Sequence, residues 1–246
     1  MAEYAYPGTE LELFAGATRW KRYLRAQIAP YLRGDVLEVG AGIGGTTDAL
    51  LAGTVRSWTC LEPDGEFHAR LAGALPAYAT REKVFTSALR GVVRDLPEAA
   101  SFDCVLYVDV LEHIDDDRAE LARAAARTRA GGAIVVMSPA HQWLYSPFDA
   151  HVGHCRRYGK RRLREIAPGA TQVERLRYLD AAGLLASLAN RWLLRASLPT
   201  AGQIETWDKL LVPCSRVLDP LLAYGAGKSV LAVYRKQLVE VGNRVL

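Results

Sequence analysis

Asp35-Val-Leu-Glu-Val-Gly-Ala-Gly-Ile-Gly-Gly45 is the stretch whose reading decides the fold of this chain. An apolar run stops at a cluster of glycines, and a helical pattern resumes over residues 46–52. Strand, glycine turn and helix in that order let backbone approach a ligand closely, because glycine carries no Cβ to hold it off. Gly40, Gly42 and Gly45 satisfy G-x-G-x-x-G, a pattern shared by NAD(P), FAD and S-adenosylmethionine sites and by plain tight turns.

Outward from this turn the same alternation repeats. Upstream, Leu11, Phe14, Ala17, Trp20, Leu24 and Ile28 recur near a helical period, predicting one amphipathic helix over 10–31 that ends near Pro30. Downstream, strands are predicted at 58–61, 83–86, 102–108 and 133–137. Helices fall at 64–75 and 116–129, the second closed by Gly131-Gly132. A strand at 172–178, a helical region and a last strand at 229–234 complete the pattern. Repeated strand–helix alternation argues for an α/β parallel sheet covered on both faces. With no linker or internal repeat, residues 1–246 are expected to form one domain. Its parts are a lid helix (10–31), a cofactor half (34–139), an acceptor-binding loop and helices (140–226) and a last strand (227–236).

The 246 residues, 50% hydrophobic and 24% charged, exclude disorder and collagen-like order. Cys60, Cys104, Cys155 and Cys214 lie far apart without a C-x-x-C pair, which favours reduced thiols and a cytoplasmic setting. The N-terminus is polar, so no targeting segment is expected. The apolar stretch 179–198 is interrupted by Asn190, Arg191 and Arg195 and is too charged to span a bilayer. The net charge of +4 is regional: residues 1–150 are acidic and residues 151–246 strongly basic. That split signals an anionic partner for the second half or one basic end of a domain.

Two carboxylates discriminate among cofactors. Glu38, at the end of the first strand, would repel a pyrophosphate but suit the ammonium of the methionyl part of S-adenosylmethionine, directly or through water. Glu62, closing the second strand in Leu61-Glu-Pro-Asp64, can accept hydrogen bonds from ribose hydroxyls in either an NAD or an S-adenosylmethionine site.

At this point the sequence resembles the class I (Rossmann-like) S-adenosylmethionine-dependent methyltransferases. Val36–Gly44 looks like their first motif, Leu61–Asp64 their second, Phe102–Ile114 their fourth-strand motif, and Ala130–Val136 the turn and strand that follow. The resemblance implies a three-layer Rossmann-like sandwich with a seven-stranded, mostly parallel sheet and an antiparallel last strand. It places Gly40, Ala41, Gly42, Gly44, Pro63, Asp109 and Val110 at the cofactor and Glu62 on the ribose. An acidic residue after the third strand often holds the adenine in that family; here the matching stretch is Thr86-Ser87-Ala88-Leu89, so Ser87 or backbone substitutes. An N-terminal segment closes over the cofactor in similar enzymes, a role that Arg19, Trp20 and Tyr23 would serve; core packing by Trp20 is the equal alternative. Beyond Ser138, Pro139–Tyr158 looks like a bacterial subgroup of mostly unassigned substrate.

His141, His151 and His154 fall within 14 residues after the fifth strand, where ligands of parallel sheets gather. An oxygen or protonated nitrogen acceptor must lose a proton near the moment of methyl transfer, and imidazole or carboxylate can take it. The candidate catalytic set is His141, Asp149, His151 and His154, with Tyr158 orienting the acceptor. The rival reading makes Asp149, His154 and Arg157 a loop-stabilising network. Glu112, His113 and the acids up to Asp117 read as first-turn carboxylates rather than a metal site. Arg156, Arg157, Lys160, Arg161, Arg162 and Arg164 read as a solvated helix face or as a site for an anionic acceptor.

The expected activity is in-line methyl transfer from S-adenosylmethionine to a small or medium-sized metabolite, anionic or sugar- or lipid-linked. The Leu-rich region after 179, with Trp192 and Trp207, would supply the acceptor pocket or a homodimer surface. Three rivals stand beside it. An NAD(P)-dependent oxidoreductase is opposed by Glu38. An RNA methyltransferase is opposed by the absence of an RNA-binding module and by Val108-Asp-Val-Leu in place of an N/D-P-P-Y motif. The third is a cofactor-binding partner without turnover.

Overall fold

A computed structural model describes residues 10–51, 54–189, 200–238, 240–241 and 244–245. The expected lid helix is two pieces, α1 (Glu10–Ala15) and α2 (Thr18–Ile28), broken at Gly16 and Ala17. The first half then runs β1 (Gly34–Val39), α3 (Gly45–Leu50), β2 (Val55–Glu62), α4 (Gly65–Glu82), β3 (Phe85–Arg90), β4 (Phe102–Val108), α5 (Asp117–Ala126) and β5 (Thr128–Pro139). The second half runs α6 (Pro147–His151), α7 (Lys160–Glu165), β6 (Thr171–Leu179), α8 (Ala181–Ala189), α9 (Ala201–Thr206), a π-helical turn (Trp207–Leu211), α10 (Val212–Leu221) and β7 (Ser229–Lys236). A small hairpin, β8 (Glu240–Val241) and β9 (Arg244–Val245), follows. Residues 190–199, including Trp192 and the end of the predicted apolar stretch, lie outside the described residues.

Seven strands form one sheet in the order β3-β2-β1-β4-β5-β7-β6, with β7 antiparallel to both neighbours and β1 to β5 parallel. Strand alternation sorts the core into two layers. Val36, Cys104, Leu106, Val135 and Val233 pack on one face with α2 and α4. Leu37, Val105, Tyr107, Val136 and Tyr234 pack on the other with α5 and α7. Strand order reverses between β1 and β4, so a crevice opens at the carboxyl ends of these two strands.

Two local differences matter for the site. Strand β3 ends at Arg90, four residues beyond its predicted end, which moves the following turn to Gly91. Gly131 and Gly132 lie inside β5 rather than ending a helix. A Cβ at Gly132 would meet Asp103 O at 2.9 Å, so glycine there permits close strand approach.

Candidate active site

The turn after β1 is built by backbone. Gly40 N and Ala41 N both donate to Leu61 O, at 2.7 and 3.2 Å, tying the turn to the end of β2. Gly40 and Gly42 have φ of 65° and 56°, a region that favours glycine, and a Cβ at Gly40 would stand 2.6 Å from Val110 Cγ2. Glu62 accepts from Gly42 N at 2.8 Å through one oxygen and from Asp64 N at 2.9 Å through the other. Each oxygen retains a lone pair for a further donor. Burial pushes the Glu62 carboxyl up, against the pull of those backbone donors.

Two adjoining cavities meet at this turn. The smaller, of about 300 Å³, is walled by Glu62, Pro63, Phe67, Val92, Val110 and Ile114. The larger, of about 1120 Å³, has an aromatic side of Phe14, Trp20 and Trp207 and a polar end of Glu112, His113, Asp149, His154, Arg157 and Lys228. Leu11, Gly40, Gly42, Asp109 and His113 line both.

Asp149 is the hub of the polar end. Its Oδ1 accepts from His154 Nδ1 at 2.9 Å and Arg157 Nε at 2.8 Å. Its Oδ2 accepts from Arg157 Nη2, Ser146 N and Ser146 Oγ. Burial would raise this carboxyl, but the His154 and Arg157 hydrogen bonds outweigh it and hold Asp149 well below the usual range. An ionised Asp149 accepts from His154 Nδ1 and so points Nε2 away from itself, toward Glu112. Asp109 is exposed to the cavities, yet the surrounding protein desolvates its carboxyl and raises it, against the opposing charges of His154 and Lys228. Burial also lowers the Lys228 ammonium, which lies 4.9 Å from the centre of the Trp207 ring.

A methyltransferase-domain family model matches residues 15–171. The chain belongs to the class I S-adenosylmethionine-dependent methyltransferases. S-adenosylmethionine is the cofactor of this methyltransferase. Its fold is similar to that of a protein from Galdieria sulphuraria described as a sarcosine dimethylglycine methyltransferase. Identity is 17%, coverage 89% of this chain and 86% of that one, and TM-score 0.59. A Haloferax volcanii structure of the Trm112 methyltransferase activator in complex with a methyltransferase matches with 18% identity, covering 94% and 92% at TM-score 0.60. The N-methyltransferase NodS from Bradyrhizobium japonicum WM9, solved with S-adenosyl-L-homocysteine, matches at 14%, covering 90% and 88% at TM-score 0.54. No curated protein sequence matches the chain.

The residues fit the cofactor: Gly40 and Gly42 bring bare backbone to the wall of the smaller cavity, and Glu62 lines the same wall with a carboxylate that can still accept. Of the residues expected at the cofactor, Gly40, Ala41, Gly42, Glu62, Pro63, Asp109 and Val110 line the two cavities. Other expected residues are elsewhere. Strand alternation turns Glu38 onto the face of Val36, where Oε2 accepts from Thr47 Oγ1 at 2.6 Å and Trp58 Nε1 at 2.8 Å. It buttresses the turn from behind and lines neither cavity, and burial raises it to about 7. Gly44 caps α3 with φ of 85° and faces Leu71, while Gly45 faces the large cavity. Ser87 sits inside β3, bonded to Thr59 Oγ1, because that strand continues past it; Gly91 and Val92 line the cavity instead. Arg19 turns away to the Lys209 carbonyl, and its helix neighbours Trp20 and Lys21 face the cavity. Tyr23 bonds Asp219 at 2.7 Å.

On the acceptor side the loop brings Asp149 and His154 together and sends the rest outward or inward. His151 is exposed, and His141 donates from Nε2 to Gly227 O with its ring beside Tyr178. Tyr158 is fully buried and donates to Leu111 O and Asp117 Oδ2, so it staples the loop and cannot touch an acceptor. The basic cluster is largely paired within the protein: Arg157 with Asp149, Arg156 and Arg162 with Asp117. Of the expected first-turn acids, Asp116 does cap α5, but Glu112 lies in a buried 3-10 turn before it. Sequence reading passed over Lys228, Lys21 and Glu112 as site residues. Lys228 lies 79 positions beyond Asp149 and carried no signal; Glu112 gave one, its adjoining His113, which reads as part of a helix-opening acidic turn.

Proposed function

We propose that this methyltransferase methylates a small or medium-sized acceptor, anionic or sugar- or lipid-linked, held in the large cavity. What carries this reading is the continuity of the two cavities across Gly40, Gly42 and Asp109, which sets a cofactor niche beside a roomy, half-apolar chamber. When bound, S-adenosylmethionine supplies an electrophilic methyl group. Glu62 receives the ribose hydroxyls, and Val92, Val110 and Ile114 flank the base. The Phe14, Trp20 and Trp207 side takes the apolar part of the acceptor and excludes water, while Lys228 draws its anionic or polar end. His154, held by Asp149, turns Nε2 to the acceptor and can orient it or take its proton. All four cysteines are free, which supports a reducing compartment such as the cytoplasm. Among the described residues no helix is long and apolar enough to cross a membrane.

The test is incubation with deuteromethyl-labelled S-adenosylmethionine and fractionated cell extract, followed by mass spectrometry. Label is expected in the small-molecule or lipid-linked fraction. Label confined to RNA or protein would overturn this acceptor class.

A further inference from the structure

We propose that Glu112, His113 and His154 bind one divalent transition-metal cation in the wall of the acceptor cavity. One donor atom from each lies within 4.8 Å of the others, and all three residues line the large cavity. Glu112 is 0% exposed, and among the described residues neither of its oxygens has a partner at good hydrogen-bond geometry. Ser138 Oγ, equally buried, favours the charged form of Glu112, but burial outweighs it and pushes the carboxyl up. A cation would supply the compensating charge that this wall of the cavity lacks.

His154 is already oriented as a ligand, and His113 is held beside it. Asp149 holds His154 by Nδ1, and the opposite nitrogen, Nε2, stands 4.0 Å from Glu112 Oε1. His113 has a hydrogen bond with the Gly153 backbone, and its ring lies edge-on to that of His154 at 4.6 Å. An outer carboxylate or carbonyl behind each ligating histidine is the usual support of a metal site. Three hydrogen bonds fasten the Glu112 turn to the His154 loop: Cys155 N to Glu112 O at 2.7 Å, Arg156 Nη1 to Ile114 O at 2.7 Å and Tyr158 Oη to Leu111 O at 3.1 Å. Metal bonds of ~2.1 Å would set donors ~3.4 Å apart, so the donor separations shorten by up to about 1.4 Å. Two nitrogens and one carboxylate suit Zn²⁺, Co²⁺, Mn²⁺ or Ni²⁺ better than Ca²⁺ or Mg²⁺, which prefer all-oxygen shells.

Three protein ligands leave a coordination position facing the cavity. Resting on the methyltransferase reading above, that position takes an acceptor hydroxyl, enol or phenol oxygen and lowers its pKa. The oxygen releases its proton to solvent and forms the O–C bond, while the C–S bond breaks and its electron pair returns to sulfur. The products are an O-methylated acceptor and S-adenosylhomocysteine. His154 is then a ligand rather than a base.

The full chain, stripped with chelator, is titrated by calorimetry with Zn²⁺, Mn²⁺, Mg²⁺ and Ca²⁺, and by absorption with Co²⁺. One equivalent of Zn²⁺ or Co²⁺ per chain is expected to bind, at least ~10-fold more weakly in both Glu112→Gln and His113→Asn. His151→Ala, an exposed neighbour, should bind as wild type does. S-adenosylmethionine affinity, measured on the same samples, reports folding; a variant that loses it is replaced by the other. No stoichiometric uptake, or equal affinity in both variants, overturns the site. Ion binding without any methylated product would leave the metal site standing and overturn the acceptor reading; methylation without ion binding would do the reverse.

Discussion

Residues 34–139 and 140–226 line the same cavity, yet they are built in different ways. The cofactor turn is held by partners close in sequence: Gly42 N reaches Glu62, 20 positions away, and Glu38 reaches Thr47 and Trp58 at 9 and 20. The acceptor side has a local hub, Asp149 with Ser146, His154 and Arg157 within 8 positions, but it is closed by distant partners. Trp20 N donates to Asp208 across 188 positions, Tyr23 to Asp219 across 196, and Arg156 and Arg162 pair with Asp117 across halves. A locally built site keeps its shape from residues that a motif can contain. A site assembled from afar depends on the whole sheet being in place.

The sharpest break in this comparison would come at Asp149. Asp149→Ala leaves the Arg157 guanidinium without its bidentate partner and should destabilise the protein by about 3–5 kcal/mol in urea unfolding. Cofactor affinity of the folded fraction should stay near wild type by calorimetry. A parallel collapse of cofactor binding would show that the two regions are not separable.

Glu38 tests the cofactor side by pH. Its folded pKa of about 7 lies above the unfolded value of 4.5, so the folded state holds an extra proton between those limits. Its contribution is complete below pH 4.5 and is lost as pH rises through 7, a change on the order of 3 kcal/mol. Glu38→Gln should flatten that slope in thermal unfolding scans from pH 5 to 8. An unchanged slope would remove the buried-carboxyl account.

Smaller effects follow at single contacts. Gly40→Ala forces a left-handed residue and a clash with Val110, costing roughly 1–2 kcal/mol in strain. Cofactor affinity should fall at least ~10-fold by calorimetry, with partial rescue by Val110→Ala. Tyr158→Phe should cost about 1 kcal/mol of stability for its lost hydrogen bonds and leave turnover per folded molecule intact. A loss of ~100-fold or more in kcat would return Tyr158 to the catalytic set.

The legible part of the molecule follows the same division. Gly40, Gly42 and Glu62 were readable because strand, turn and acid recur at fixed local spacing and backbone bonds lock them together. Ser87 misled because an edge strand with exposed Phe85 gives little hydrophobic periodicity to mark its end. Tyr158 looked like an acceptor contact because it follows histidines in sequence, although its side chain turns into the core beneath them. The run from Arg156 to Arg164 reads in sequence as a solvated helix face or a site for an anionic acceptor, and the fold supplies Asp117 and Asp149 as partners for Arg156, Arg157 and Arg162.

The sequence by itself determined the strand–turn–helix unit, the alternation that makes the sheet and the family of the chain. These rest on local sterics and on hydrophobic periodicity, both written in neighbouring residues. Tertiary structure alone decided that Asp208 and Asp219 close the N-terminal helix, that Asp117 takes Arg156 and Arg162, and that buried Glu112 stands beside His154. Those pairs meet across roughly 40 to 200 positions, and no local pattern encodes such a meeting until the sheet order brings the loops together.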